Sequence, residues 1–344
     1  MNTVRETDRP RCTGSRSKEY TEAERRLTLE AQGRAVRIAG LVLFLAFAVA
    51  LFGVDRSTSR GIAAGVSPVA ESEPEVVLAE FPITVNERVE GWMDRYLNDQ
   101  RPQFEHFLSR KGLYSGMIRG KLRERGMPED LLYLAMIESG FSPRATSRVS
   151  ASGIWQFMGP TAQDYGLRID EWVDERRDPI KATDAALDYL EQLHGRFGSW
   201  YLAAAAYNAG PSRVARLVRR HHGDRWGDEG VYWEILDQLP RETREYVPKL
   251  IAATLLASEA ESYGFDVETA TPYSFDQVFV PGGTRLSGVA RSIGVEPSLL
   301  RDLNPHLIRG VTPPGISYPV RVPSGTAGDV VASLNGRTGV RRTD

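Results

Sequence analysis

Residues 128–156 read PEDLLYLAMIESGFSPRATSRVSASGIWQ, and they carry the strongest structural signal in the chain. Pro128 suits a first helical position, and Gly140 suits the residue just past a helix C-terminus. Residues 131–137 between them are apolar on every side, which predicts a helix inside the domain. A Ser- and Gly-rich loop follows this helix.

Glu138 stands at the end of this apolar helix. Burial and the negative end of the helix both disfavour the charged carboxylate, so its pKa is predicted to be raised. A general acid that works near neutral pH needs such a pKa. The alternative is a helix-terminal glutamate that reaches water, and the loop that follows favours the catalytic interpretation.

Composition restricts the classes of function that need to be considered. The 344 residues are enough for one large domain and a smaller one. A net charge of −2 lacks the basic footprint of nucleic-acid-binding proteins, so no nucleic-acid partner is expected. The single cysteine, Cys12, excludes a disulfide within one chain. The five histidines show no ligand spacing, and neither a metal nor another cofactor is expected.

The N-terminal part predicts a membrane anchor. Residues 1–37 form a basic arm, with nine Lys or Arg against six Asp or Glu. Residues 38–54, IAGLVLFLAFAVALFGV, are 17 residues without a charge. This length is at the short end for a membrane span, and the positive flank predicts a cytoplasmic N-terminus and an exported remainder. A retained single-pass anchor is favoured over a cleaved signal peptide, because the preceding arm is long for a signal peptide.

The exported part is predicted to have four regions. Residues 55–78 are typical of a flexible linker, and residues 79–264 show helical spacing with little strand alternation. Residues 272–325 predict two short strands around two short helices, and residues 326–344 predict a loose tail. The predicted fold class is therefore mainly α, with a small α+β module.

Helix boundaries within 79–264 follow from capping residues and prolines. Asn86 and Ser199 are predicted helix caps, and further helices are expected to begin near Pro160, Pro179 and Pro211. Two separate helices are predicted early in the domain, at about 102–110 and 115–125, and a long one with a kink at Pro248 closes it near Ser262.

Several motifs follow one another in order along the chain: Glu138-Ser139, Ser147, the segment 153–162 (GIWQFMGPTA) and the segment 206–210 (AYNAG). Together they resemble the motifs of lytic murein transglycosylases with a goose-lysozyme-like soluble lytic transglycosylase domain. Residues 174–179 (DERRDP) and 242–247 (ETREYV) look most like the membrane-bound lytic murein transglycosylase D group. The resemblance covers about residues 80–262.

The resemblance implies cleavage of the β-1,4 bond between N-acetylmuramic acid and N-acetylglucosamine without water, leaving a 1,6-anhydromuramoyl end. Glu138 would protonate the leaving oxygen and then, as a carboxylate, take the proton of the C6 hydroxyl. The N-acetyl oxygen of the substrate would stabilise the positive charge at the anomeric carbon, so that a second carboxylate is not needed. A hydrolytic muramidase on the same fold and a non-catalytic peptidoglycan-binding scaffold are the alternatives.

The resemblance also implies five substrate-binding residues. Ser147 would hold the N-acetyl group, and Gln156 would lie near the catalytic glutamate. Tyr207 and Asn208 would line the sugar groove, and Tyr246 would orient Glu138 or polarise the N-acetyl group. The implied partners are peptidoglycan glycan strands, with membrane attachment through residues 38–54. The implied location is the bacterial cell envelope, on the periplasmic side of the cytoplasmic membrane.

Two further sets of residues could contribute to this site. Trp155 and Phe157 could stack on sugar faces, although aromatic residues beside a buried helix more often belong to the core. A second carboxylate facing Glu138 would make hydrolysis plausible. The candidates lie in or near the segment 170–178 (DEWVDERRD), which is more typical of a solvated, ion-paired surface; they are Asp164, Asp170, Glu171, Asp174 and Glu175.

Residues 272–325 resemble a LysM domain, a βααβ fold that binds glycans containing N-acetylglucosamine. The matching segments include 303–305 (LNP) and 318–323 (YPVRVP). The usual Gly-Asp-Thr lacks its Asp at 282–284, and Arg285 looks inserted. Glycan binding and a packing role against the catalytic domain are both left open by these residues.

Overall fold

The computed structural model describes residues 80–223 and 225–338. The predicted arm (1–37), anchor (38–54) and linker (55–78) lie outside the described residues. Among the residues that are described, no helix combines the length and the apolar character needed to cross a membrane.

Residues 87–258 form a helical domain, which confirms the predicted mainly α class. Single turns of 3-10 helix lie at Glu129–Leu131, Glu175–Arg177, Leu236–Gln238 and, after the last helix, Ala260–Tyr263. The helices in chain order are α1 (Glu87–Leu97), α2 (Arg101–Glu124), α3 (Leu132–Ser139), α4 (Gly159–Asp164), α5 (Pro179–Phe197), α6 (Trp200–Ala209), α7 (Pro211–His222), α8 (Gly230–Glu234) and α9 (Arg241–Ser258).

The helix starts follow from local side-chain chemistry. The side chains of Asn86, Asp178 and Ser199 each accept a hydrogen bond from backbone N–H groups in the first turn of the helix that follows. These bonds satisfy donors that have no partner within the helix. The predicted caps at Asn86 and Ser199 are therefore confirmed, and Pro179 and Pro211 open α5 and α7 as predicted.

Helix α3 is the buried helix predicted from the sequence. All six residues from Leu132 to Ile137 are buried, and the helix packs against α2 and α9. Gly140 closes it in the left-handed conformation, with φ 58°, and its N–H donates to Met136 O at 2.8 Å. The regular helix begins later than predicted, because the residues after Pro128 first form a 3-10 turn.

The prediction of two helices at 102–110 and 115–125 is wrong, since α2 runs without a break. Gly112 lies in its middle, and one glycine costs an exposed helix only about 1 kcal/mol. The position has no room for a larger residue, because an added Cβ would lie 2.3 Å from Ala270 O. The segment around Ala270 runs along α2 here, and the Ala270 N–H donates to Ser109 O at 3.0 Å.

Residues 276–338 form a small module with the predicted βααβ order. Strand β1 (Asp276–Val280) pairs antiparallel with β2 (Tyr318–Val322), and Asp276 lies opposite Val322. Helices α10 (Leu286–Ser292) and α11 (Pro297–Leu303) connect the two strands. Apolar side chains from both strands and both helices form a second hydrophobic core.

The prediction of a loose tail at 326–344 is wrong for residues 327–338, because these residues form α12 (Ala327–Thr338). Val330 is only 1% exposed, and Ala327 and Leu334 also pack on the second core. These three positions have helical spacing, so one face of α12 is apolar and is buried against the module.

The module packs directly on the helical domain. Val173, from the segment before α5, belongs to the core of the module. The Asp174 N–H donates to His306 O at 2.9 Å, and the Ile308 N–H donates to Trp172 O at 3.2 Å. Asp174 and Glu175 are buried and ion-paired with Arg176 and Lys181. The predicted ion pairing of this segment is confirmed, whereas the predicted solvation is wrong for these two carboxylates.

A buried ion pair links β2 to the start of α5. Arg321 donates two hydrogen bonds to the Asp178 carboxylate, at 2.8 and 2.7 Å, and both side chains are buried. Burial alone would raise the pKa of Asp178, but the Arg321 guanidinium holds it below its usual value. Burial also lowers the pKa of the neighbouring His306 to about 4, so this imidazole is neutral. One carboxylate therefore caps a helix of the first domain and binds a strand of the second.

Candidate active site

A cleft of about 650 Å³ opens where the end of α3 faces α9 and the loop 140–158. It brings Glu138 together with four of the five predicted substrate-binding residues. Its lining is Trp92, Ile137, Glu138, Ser147, Gln156, Asn208, Arg241, Glu242, Glu245, Tyr246 and Lys249.

Glu138 presents a half-buried carboxyl group to this cleft. Burial raises its pKa to about 7, and the negative charge of Glu242 acts in the same direction. The hydrogen bond from Tyr246 and the positive charge of Lys249 oppose this rise. The rise in pKa predicted from the apolar helix is therefore confirmed, and the carboxyl can exist in both protonation states near neutral pH.

Tyr246 is the direct partner of Glu138. Its hydroxyl donates to Glu138 Oε1 at 2.6 Å. Burial, together with the negative charge of Glu138, raises the pKa of Tyr246 well above its usual value. The phenol therefore stays protonated and is a permanent hydrogen-bond donor that fixes the orientation of the carboxyl group.

Lys249 lies near the same carboxyl group, almost one turn of α9 beyond Tyr246. Its ammonium group donates to Ile137 O at 2.9 Å, at the C-terminal end of α3. Burial lowers the pKa of Lys249, while the charges of Glu138 and Glu242 oppose that change. A cation at this position stabilises the carbonyl end of the helix that carries Glu138.

The loop 140–158 forms one wall of the cleft and is held by its own hydrogen bonds. The Ser147 hydroxyl accepts a bond from the Ala151 N–H at 3.0 Å, and the Gln156 amide donates to Gly153 O at 2.8 Å. At the foot of the loop, the Ser139 hydroxyl donates to Ile154 O at 2.8 Å. Ser147 and Gln156 are therefore placed at the cleft by a folded loop.

Gly153 fixes this loop to the domain. Its φ is 86°, and a Cβ there would lie 1.7 Å from Arg176 O. The backbone of the loop therefore touches the 3-10 turn at 175–177 at a position where only glycine fits.

Tyr207 is not among the residues that line this cleft, although it lies close to it: burial, and after it the negative charge of Glu138, raises the pKa of its phenol. It is partly buried, and its hydroxyl donates to Trp155 O at 2.7 Å, so it supports the loop from behind. Trp155 is fully buried, with its indole N–H bonded to Thr183 Oγ1 at 3.0 Å, and Phe157 is 2% exposed. The sugar-stacking interpretation is therefore wrong for Trp155 and Phe157.

The charged face of α9 was not predicted from the sequence. Arg241, Glu242, Glu245 and Lys249 reach the cleft beside Tyr246, because residues three or four apart share one helix face. This spacing, taken from the predicted site residue Tyr246, is the signal that could have identified them.

The acidic residues of the cleft differ from those proposed as a second carboxylate. None of the five predicted candidates lines it. Glu245 is held by Arg88 and by the indole N–H of Trp92, both at 2.8 Å. Glu242 is the other acid, and its nearest hydrogen-bond contact is the Asn208 amide at 3.5 Å. Within the described ranges, no group of three or more His, Cys, Asp or Glu residues could hold a metal ion.

Known protein families match both parts of this structure. Residues 117–225 match the transglycosylase SLT domain, and residues 274–336 match the LysM-like domain of lytic transglycosylase MltD. The first range contains Glu138 and the loop, and the second contains the whole βααβ module.

Two curated proteins and one crystal structure show what the chain resembles. It is 32% identical over 224 residues to membrane-bound lytic murein transglycosylase D of Escherichia coli strain K12, covering 64% of this chain and 48% of that protein. It is 32% identical over 158 residues to a peptidoglycan transglycosylase of Escherichia phage T7, covering 44% and 11%. The 70 kDa soluble lytic transglycosylase of Escherichia coli superposes with a TM-score of 0.39 at 22% identity, covering 51% and 29%.

The chain spans about half the length of the Escherichia coli relative, and less of the phage protein. The predicted resemblance to membrane-bound lytic murein transglycosylase D, with a LysM-like C-terminal module, is confirmed. The chain thus joins a transglycosylase SLT domain to a LysM-like domain of the lytic transglycosylase MltD type.

Proposed function

We propose that this protein is a peptidoglycan lytic transglycosylase. It cleaves the β-1,4 bond between N-acetylmuramic acid and N-acetylglucosamine and leaves a 1,6-anhydromuramoyl end. The observation that carries this proposal is the Glu138 carboxyl group in the cleft, whose pKa of about 7 lies near physiological pH. The SLT domain match and the likeness to a lytic murein transglycosylase support it.

In the first step, protonated Glu138 gives its proton to the glycosidic oxygen as the bond to the anomeric carbon breaks. The N-acetyl oxygen of the muramic acid residue attacks that carbon and bears the charge. In the second step, the Glu138 carboxylate removes the proton of the C6 hydroxyl, whose oxygen displaces the N-acetyl oxygen and closes the anhydro ring. Glu138 is then protonated again, and a pKa near the working pH makes both transfers efficient.

The other cleft residues have supporting roles in this proposal. Tyr246 orients the Glu138 carboxyl group through the 2.6 Å hydrogen bond. Ser147 and Gln156 present polar groups from the loop to the N-acetyl group and the glycosidic bond. Asn208 lines the groove and is itself held by the Thr243 hydroxyl at 2.8 Å.

The product identifies the reaction. The full chain is incubated with purified murein, and the released muropeptides are weighed by mass spectrometry. We expect products one water molecule lighter than those of a hydrolase. Normal reducing ends would establish a hydrolytic muramidase instead, and no release would establish a non-catalytic scaffold.

Hydrolysis has one observation in its favour, because Glu242 lines the same cleft and could activate a water molecule. Glu242→Gln separates the two reactions. In a transglycosylase this variant still releases anhydro products. Since Glu242 raises the pKa of Glu138, we also expect its loss to move the pH profile to lower pH. In a hydrolase that uses Glu242 as its base, the variant releases nothing.

Tyr246→Phe tests the partner of Glu138. The hydrogen bond from Tyr246 lowers the pKa of Glu138, so its loss should raise that pKa above about 7. Because cleavage needs the protonated acid, kcat/KM falls as pH rises through the pKa of Glu138. In the variant, this falling limb of the pH profile should move to higher pH. We expect the maximal rate to fall about 10-fold or more through lost orientation.

The measurement is kcat/KM against pH, with Tyr207→Phe as the control. That control loses a similar hydroxyl, but its bond goes to the Trp155 carbonyl and not to Glu138. An unmoved limb in Tyr246→Phe would show that the phenol does not act on the Glu138 carboxyl.

The same proposal places the protein in the bacterial cell envelope, attached to the cytoplasmic membrane through residues 38–54 and facing the periplasm. The supporting observations are the uncharged run in the sequence and the likeness to a membrane-bound relative. The mass of the protein extracted from envelopes distinguishes a retained anchor from a cleaved signal peptide.

A further inference from the structure

A second cavity lies at the junction of the two domains and differs from the cleft in its charge. Its volume is about 440 Å³. Five arginines line it, together with neutral residues and no carboxylate. The arginines are Arg144 and Arg177 from the SLT domain and Arg285, Arg301 and Arg309 from the LysM-like domain.

This positive charge is a local feature of the cavity, since the chain as a whole is slightly acidic, with a net charge of −2. Two of the five arginines are paired with acidic residues that do not themselves line the cavity. Asp302 pairs with Arg144 at 2.7 Å, and Glu171 pairs with Arg309 at 3.3 Å.

The other three arginines have guanidinium N–H groups that are not bonded to any acceptor of the described protein. Arg285 and Arg301 are exposed and make no side-chain hydrogen bond or ion pair with any described residue. Arg177 Nε is buried without a hydrogen-bond partner among the described atoms, and the nearest carboxylate oxygen, on Asp174, is 3.7 Å away. A concave site whose guanidinium groups are not all bonded to protein acceptors is suited to an anion with several oxygen atoms.

We propose that this arginine pocket binds the free carboxylates of peptidoglycan peptide stems. This inference rests on the proposed function, which makes peptidoglycan the substrate. Peptide stems branch from the muramic acid residues that the cleft would hold, and their free carboxylates are planar, as is the guanidinium fork.

The placement of the pocket supports this ligand. Arg144 belongs to the same loop as Ser147, three residues away, and Ser147 lines the catalytic cleft. Arg177 contacts the loop as well, through Thr146 Oγ1 at 3.5 Å. The loop 140–158 thus contributes both to the cleft, which would hold the glycan, and to the arginine pocket, which would hold the carboxylates of its peptide stems. Anionic lipid headgroups share the anionic chemistry, but a membrane surface does not fill a concave pocket.

The test compares binding of three polymers by the full chain carrying Glu138→Gln, which prevents turnover. The polymers are murein with intact stems, glycan strands stripped of stems by an amidase, and intact murein whose carboxylates are converted to amides. We expect the first to bind about 10-fold more tightly than the other two, with an advantage that weakens as salt increases.

Arg285→Gln combined with Arg301→Gln should remove this advantage and leave binding of stripped glycan unchanged. The matched control is Arg216→Gln combined with Arg220→Gln, two exposed arginines of α7 that line neither cavity. The control should retain the full preference for intact stems.

Three results would overturn the inference. They are equal affinity for all three polymers, the same loss in the control variant, and binding of phosphatidylglycerol vesicles that depends on Arg285 and Arg301 while stems have no effect. A failure of the proposed function would be recognised in a different assay: the chain with Glu138 intact would release no product from murein.

Discussion

Glu138→Gln is expected to reduce muropeptide release by a factor of about 10³ or more. Glutamine has nearly the same shape and can still accept the hydrogen bond from Tyr246, so the cleft should keep its geometry. It can neither give nor take a proton, and each role of a general acid or base contributes about 10²–10⁴ in rate. The measurement is the initial rate of release from murein at pH 6, compared with the Glu242→Gln variant under the same conditions.

The same variant should be more stable than the wild type at alkaline pH. The pKa of Glu138 is raised to about 7 from its ordinary value of 4.5, so its contribution to stability is present at low pH. That contribution is lost as pH rises through the folded pKa. At pH 8 the difference is at most about 3 kcal/mol, at about 1.4 kcal/mol per pKa unit.

Urea unfolding at pH 4 and pH 8 measures this effect. The stability gain of Glu138→Gln over the wild type should appear at pH 8 and vanish at pH 4. The same difference in stability between the variant and the wild type at both pH values would contradict the raised pKa of Glu138, and undiminished release by the variant would contradict its role as the acid.

Arg321→Ala is expected to lower the free energy of unfolding by about 3–5 kcal/mol at pH 7. The substitution leaves the Asp178 carboxylate buried without its cation and removes the charge that most strongly lowers the pKa of Asp178. In the wild type, a lowered pKa contributes stability that is present above the unfolded pKa and lost as pH falls. The deficit of the variant should therefore shrink on acidification.

The controls distinguish loss of the ion pair from a general effect of losing an arginine. Arg301→Ala removes an exposed arginine of the same module and should change stability by less than about 0.5 kcal/mol. Arg321→Met combined with Asp178→Asn removes both charges and should cost less than Arg321→Ala. Arg321→Ala within 1 kcal/mol of the wild type would show that the junction does not depend on this pair.

Sequence reasoning located the features that depend on local chemistry. The apolar run before Glu138 predicted a buried helix and a raised pKa, because a short helix without a polar face has no side to turn to solvent. The caps at Asn86 and Ser199 were predictable for a similar reason, since a side-chain oxygen satisfies N–H groups only a few residues away.

Features that depend on distant segments were missed. Two helices were predicted where α2 is continuous, and the close fit of its Gly112 depends on Ala270, more than 150 residues later in the chain. The sequence of α12 looked like a loose tail because its apolar face is recognisable only once the core around Val330 exists. Tyr207 matched a site motif, yet its place behind the loop is decided by contact with the Trp155 carbonyl.

The loop 140–158 has a consequence for how tightly a sugar chain can be held. Three residues in or beside its turns, Phe141, Ser150 and Gln156, have positive φ values that non-glycine residues rarely adopt. Backbone hydrogen bonds from these three residues to neighbouring carbonyls hold them there, so the unfavourable backbone energy is incurred during folding. Under the proposed function, a glycan would meet a wall that is already shaped, and docking would cost the loop little conformational entropy.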